Sequence, residues 1–207
     1  MTLPSLLTEH LKKRWRAEKP KPRSYFYISE AGKRPYQVYK AMMVKQKCPP
    51  PIKRVMEAGK KTHRLVCKYL GEMGFLKAED VKVGDNLFRG YVDAIIHLPG
   101  EKPEPLEIKT VSKKWYEEVL RRGIPTWQSY VQLQLYINYL RKVQKGRILF
   151  IEANTLKDHV IPLEEYIPGQ RMKEFEVRKN PKIIRQTIQK FRKLREVLIR
   201  DGVMLRR

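Results

Sequence analysis

Cysteine is nearly absent from this sequence: Cys48 and Cys67 are the only two in 207 residues. With no C-x-x-C spacing, they exclude a four-cysteine zinc or iron–sulfur site built from one chain, and they indicate no disulfide framework. Long apolar runs are missing too. No stretch approaches the roughly 18 apolar residues of a membrane-spanning helix, so no membrane partner is expected. The opening "MTLPSLLTEHLKKRW" lacks a long apolar region followed by a small-residue cleavage site, which speaks against a secretory signal. The expected location is intracellular: cytoplasm or nucleoid or, for a viral chain, the host cytoplasm.

Acids are scarce as well. Asp and Glu number 22 against 45 Lys and Arg, a net charge of +23 with an isoelectric point near 10.1. Such an excess repels itself unless a polyanion is the partner. Nucleic acid is the leading candidate, because each phosphate neutralised releases counterions.

What is present reads as alternating helices and strands. Residues 3–19 form a short amphipathic pattern ended by "KPKPR". Residues 31–43 look helical after Pro35. Residues 52–74 carry apolar side chains at helical spacing, with Gly71 and Gly74 marking the end. A turn and long strand over 81–100 and a neighbouring strand over 104–112 are joined by "PGEKP", which is hairpin material. Residues 125–143 are apolar on most sides and so predict a buried helix. Strands are expected at 146–153 and, on an edge, at 159–163, followed by a basic amphipathic helix over 181–201. This order implies an α/β fold: a mixed sheet flanked by helices. Three segments are expected within one compact unit: a basic helical stretch 1–50, a core 51–165 and a basic helical extension 166–207.

One strand carries Glu107-Ile108-Lys109. An acid-x-Lys triplet means little alone: 22 acids and 26 lysines give roughly 3 by chance. Context decides. Glu107 and Lys109 share one face of their strand, Leu106 and Ile108 the other. Asp93 stands on the preceding strand, next to the apolar Ala94-Ile95-Ile96. If the strands pair, Asp93 and Glu107 approach across the ladder. Like charges there are destabilising, and a divalent cation between them reverses the sign. The other triplet, Asp80-Val81-Lys82, reads as a polar approach to the sheet.

"GYVD" (90–93) followed by "EIK" (107–109) resembles the core motif of the PD-(D/E)XK nuclease superfamily. Gly59 and His63 in "GKKTH", and Gln132 and Tyr136 in "QLQLY", match two further motifs of its RecB-like branch, in the family's order. The resemblance spans residues 59–136. It implies a restriction-endonuclease-like core and a metal-dependent nuclease acting on DNA, with single strands or ends favoured. It implies Mg²⁺ or Mn²⁺ held by His63, Asp93, Glu107 and the Ile108 carbonyl, and Lys109 as the catalytic base or orienting group. Gln132 and Tyr136 would point into the site. Homo-oligomers are in range too, since exonucleases of the superfamily can encircle DNA as rings. The sequence departs from the CRISPR-adaptation relatives: Lys33-Arg34 stand where their N-terminal cluster cysteine would be, and no cysteine follows Cys67. No iron–sulfur cluster is expected.

Lys113, Lys114, Arg121 and Arg122 suit a strand-guiding lid over 113–123, and Trp127 and Tyr130 could stack on unpaired bases. Two other functions remain open: a non-catalytic DNA-binding protein on the same fold, and a basic RNA-binding protein.

Overall fold

The computed structural model describes residues 22–43, 50–153 and 172–205. The expected helix over 3–19 and edge strand over 159–163 lie outside them. The elements are β1 (Phe26–Tyr27), a 3-10 turn (Ile28–Glu30), α1 (Pro35–Met43), α2 (Pro50–Glu72), β2 (Leu76–Gly84), β3 (Phe88–Ile96) and β4 (Glu104–Ser112). They continue with α3 (Lys113–Arg122), α4 (Trp127–Tyr139), β5 (Lys145–Ala153), β6 (Met172–Arg178) and α5 (Pro181–Arg200).

Local chemistry accounts for several boundaries. Pro35, Pro50 and Pro181 open their helices, where a missing N–H costs nothing. Thr126 Oγ1 accepts from Ser129 N at 3.3 Å to start α4, and Asn180 Oδ1 accepts from Ile183 N at 3.2 Å to start α5. Asp85 Oδ1 accepts from the backbone of Leu87 and Phe88, at 2.7 and 2.8 Å, and turns β2 into β3.

The segment containing Asp80-Val81-Lys82 is not an approach to the sheet but part of it. β2 pairs antiparallel with β3 over most of its length. Its side chains are half-buried or exposed, because it is an edge strand, and so it lacks the apolar signature. β6 was not expected either. Its polar sequence, MKEFEVR, pairs antiparallel with β5 at the opposite edge.

The sheet runs β1-β3-β4-β5-β6, with β2 also on β3. β4 and β5 are parallel, and α3 and α4 form the connection between them. β3 has three partners but, like any strand, only two hydrogen-bonding edges. Arg89 pairs with both Tyr27 of β1 and Gly84 of β2; Ile96 pairs with both Leu76 of β2 and Glu104 of β4. β2 therefore fills one edge, and β1 and β4 share the other. β1 takes Phe88 and Arg89, β4 takes Ala94 to Ile96, and the edge between them is left open as a fork.

Helices cover both faces. On one, Val66 and Cys67 of α2 pack on Ala94, Ile96, Leu106 and Ile108. On the other, α4 and α5 bury a larger cluster in which Phe191 meets Phe26 and Phe88, with centroids 4.8 and 4.9 Å away. The turn after the 3-10 helix lies against α4 so closely that a Cβ on Gly32 would stand 2.5 Å from Gln128 Cα. Lys190 of α5 donates to the Ala31 and Lys33 carbonyls, at 3.2 and 3.4 Å, and pins that turn from behind.

Candidate active site

Asp93 sits at the crotch of the fork. The β3–β4 ladder runs from Ile96↔Glu104 to Ala94↔Leu106. The next step would set Asp93 opposite Glu107. There Asp93 Oδ2 instead accepts from Ile108 N at 2.7 Å, so a side chain replaces the backbone acceptor just where the strands part.

Glu107 is 1% exposed. Its register partner Ile148 belongs to the α4 side of the sheet, and directly opposite residues share a face. That places Glu107 and Lys109 toward α4. Lys109 Nζ lies 2.6 Å from Glu107 Oε1 and donates to Gln132 Oε1 at 3.1 Å. Gln132 Nε2 in turn donates to the Tyr136 hydroxyl at 2.9 Å. Gln132 and Tyr136, one turn apart on α4, are both buried. The four side chains Glu107, Lys109, Gln132 and Tyr136 form one hydrogen-bonded chain.

His63, half-buried on α2, presents Nε2 to the Asp93 carbonyl at 3.2 Å. A carbonyl only accepts, so Nε2 carries the proton. As placed, the ring steadies the Asp93 backbone rather than facing its carboxylate. Ile108 lines the cleft between the two acids. Gly59, one turn before His63, also lines it, and a Cβ there would meet nothing within 4 Å; the glycine keeps the mouth wide.

The electrostatics are those of crowded acids in a dry place. Burial pushes the Glu107 carboxyl up to about 8, and the Asp93 charge adds to it while Lys109 opposes. Burial also raises Asp93, against the Ile108 N–H, His63 and Lys109. Tyr136 is raised by burial and by Glu107. Glu107 Oε2 is buried without a hydrogen-bond donor. An unanswered carboxylate oxygen is costly, and a hard cation would answer it. Among the described residues no three His, Cys, Asp or Glu side chains converge as a ready-made ligand set. The residues that fit an ion are thus the two carboxylates, supplemented by backbone oxygen.

A cleft of about 540 Å³ opens over these groups. It is lined by His63, Asp93, Glu107, Ile108, Lys109, Gln132 and Tyr136 together. It does not include Lys113, Lys114, Arg121, Arg122, Trp127 or Tyr130. The segment expected as a lid is a regular helix, α3, docked through buried Tyr116 and Val119. Arg121 and Arg122 both bond Glu118 on the same helix, at 2.6 to 2.9 Å. Trp127 is exposed and stacks on Tyr130, centroids 5.9 Å apart, at the start of α4. The cleft wall instead includes Tyr27, Lys60, Arg89 and Tyr91. The sequence pattern gave none of these four a role, and β1, which carries Tyr27, is only two residues long.

No family model and no curated protein matches the sequence. Solved structures do. An alkaline exonuclease from Laribacter hongkongensis aligns with TM-score 0.59 at 13% identity, over 92% of this chain and 97% of that one. Its structure in complex with dAMP gives TM-score 0.58 at 13% identity, over 86% and 92%. A phage-related exonuclease from Haemophilus somnus gives 0.55 at 16% identity, over 90% and 98%. The similarity is one of fold, and it runs nearly end to end in each pair.

Proposed function

We propose that this chain, whose fold is that of the PD-(D/E)XK nucleases, is a Mg²⁺- or Mn²⁺-dependent deoxyribonuclease. It hydrolyses phosphodiester bonds of single-stranded DNA or DNA ends, in replication, recombination or repair. The observation that carries this reading is the Asp93–Glu107 pair at the fork, with Lys109 bonded to Glu107 and Gln132. The exonuclease neighbours support the coarser part of it.

Asp93, Glu107 and the Ile108 carbonyl would hold the ion; His63 steadies Asp93 and is the further candidate ligand. The bound ion would supply polarisation of the phosphate and a lowered pKa for water. The protein's own groups do the rest. Lys109 Nζ, tethered on two sides, orients the attacking water and exchanges its proton, and it offsets charge gathering on the phosphate. Gln132 and Tyr136 fix the ammonium against Glu107, and a positioned group is worth far more than a free one. The surplus of 23 positive charges draws the polyanion in.

The test is cleavage of circular and linear single-stranded DNA with Mg²⁺ or Mn²⁺, against EDTA, for wild type beside Asp93→Ala and Lys109→Ala. Loss of at least about 100-fold is expected for each variant, in line with general acid–base and electrostatic contributions. Cleavage that survives EDTA or either substitution would sink the mechanism. Opening of the circle would identify an endonuclease.

A further inference from the structure

The β3 face that carries Asp93 continues outward. Arg89, Tyr91 and Asp93, alternate residues of β3, all line the one cleft, at about 6.6 Å per step along the strand. Arg89 is in register with Tyr27 of β1, which brings Tyr27 into the same display. Phe26 and Phe88 turn the other way and are fully buried.

The exposed rings are held in an ordered frame. The Arg89 guanidinium lies over the Tyr25 ring, 4.4 Å from its centroid. Tyr25 meets Tyr27 edge-on, with centroids 5.6 Å apart at 87°. Arg23 lies over Tyr27 at 4.5 Å. Glu30 clamps Arg23 through two contacts of 2.7 Å and accepts from Tyr27 N at 2.9 Å. Among the described residues no carboxylate pairs with Arg89. Tyr27 and Tyr91 are still 48% and 57% exposed, and with Arg89 they line the cleft that holds Asp93 and Glu107. Flat rings half open to water, fixed among guanidinium groups, are what unpaired nucleobases stack on and what their phosphates pair with. Bases inside a duplex have both faces already covered.

We propose that Tyr27 and Tyr91, framed by Arg23, Tyr25 and Arg89, form a stacking platform for the unpaired bases of a single DNA strand leading into the cleft. The proposal rests on the nuclease reading for the direction of travel, toward Asp93. Arg89 and Tyr27 stand about 13 Å from Asp93 along β3. At about 3.4 Å per stacked nucleotide, that is up to about four nucleotides from the scissile phosphate.

The experiment is equilibrium binding in EDTA, so that nothing is cut, of fluorescein-labelled dT12 and of a blunt hairpin duplex. Wild type is compared with Tyr27→Leu, Tyr91→Leu and Tyr27→Phe. Each Leu variant is expected to raise the Kd for dT12 about tenfold, the worth of one stacked base. Hairpin binding should stay within twofold, and Tyr27→Phe, which keeps the ring, should match wild type. The platform is overturned if both Leu variants bind dT12 within twofold of wild type, if the hairpin suffers equally, or if the Phe variant is as weak as Leu. Cleavage of dT12 with Mg²⁺ separates the two readings. A wild type that cuts nothing, while the Leu variants lose dT12 selectively, overturns the nuclease and leaves the platform. A wild type that cuts, with Leu variants binding normally, overturns the platform alone.

Discussion

Glu107 is where the site's chemistry can be separated from its fold. Its carboxyl titrates near 8 against an ordinary 4.5 because it is buried beside Asp93. The folded protein therefore binds more protons than the unfolded chain between those values. Stability of the metal-free protein should fall as pH rises from about 4.5 to about 8, then level. Glu107→Gln removes that charge. At pH 9 without metal it should melt above wild type, by about 2–4 °C for each kcal/mol recovered. At pH 6 the gap should narrow. Mg²⁺ should raise the melting point of wild type at pH 9 and leave the Gln variant unmoved. Thermal melts over this grid check it; a Gln variant less stable than wild type at pH 9 contradicts the burial argument.

The acids, the lysine and the α4 pair were legible in the sequence because their order and their periodicities are local properties. The depth of Glu107 was not, since it depends on Ile148 of β5 and on α4, distant in sequence. "QLQLY" holds two glutamines, and the Gln-x-x-x-Tyr spacing picks out Gln132. Gln132 reaches Lys109, whereas Gln134 bonds Arg178 O and Asn180 N, at 2.7 and 2.6 Å, and clamps the β6–α5 turn.

Among elements, the strongly apolar ones were readable: α4, β4 and β5 fall close to their expected spans. β2 and β6 were misread or missed because edge strands need no alternating apolar face, only a neighbour's backbone. β1 is too short to carry a pattern at all. The contact of the turn at Gly32 with α4 is similarly invisible, yet it fixes where α4 starts. Gly32→Ala would drive a methyl group into the Gln128 backbone. A loss of about 1–3 kcal/mol is expected in urea denaturation, as for other overpacked sites. Because α4 carries Gln132 and Tyr136, cleavage should weaken in the same variant even under conditions where it is fully folded. An unchanged unfolding midpoint would show that the turn yields instead.

At the scale of the molecule, charge is sorted. Glu101, Glu104, Glu174 and Glu176 gather around Lys145 and Arg147 at the end of the sheet away from the cleft. Arg147 and Glu104 are both buried there. Four of the 22 acids are thus committed to one ion-pair network, which leaves the remaining surface more basic. Arg147→Met should cost up to about 3 kcal/mol, because among the described residues it leaves buried Glu104 with only Lys145, 3.7 Å away. DNA affinity at a given salt concentration should stay near wild type, because the network does not face the cleft. Denaturation and binding measured together test the separation; a variant that stays folded but loses DNA would place the network in the binding surface. The basic excess was readable from composition alone, while its distribution across the molecule required the strand order.

The fork in the sheet also acts as a ruler. The opening between β1 and β4 is counted out along β3, from Arg89 to Ala94, so its span is set by residue number. Adding two residues there would widen it by about 6.6 Å and keep every side chain on its side. Adding one would turn Tyr91 and Arg89 to the opposite face while Asp93 stayed in place. Across diverged chains of this architecture, the length of that segment should therefore change in steps of two or not at all.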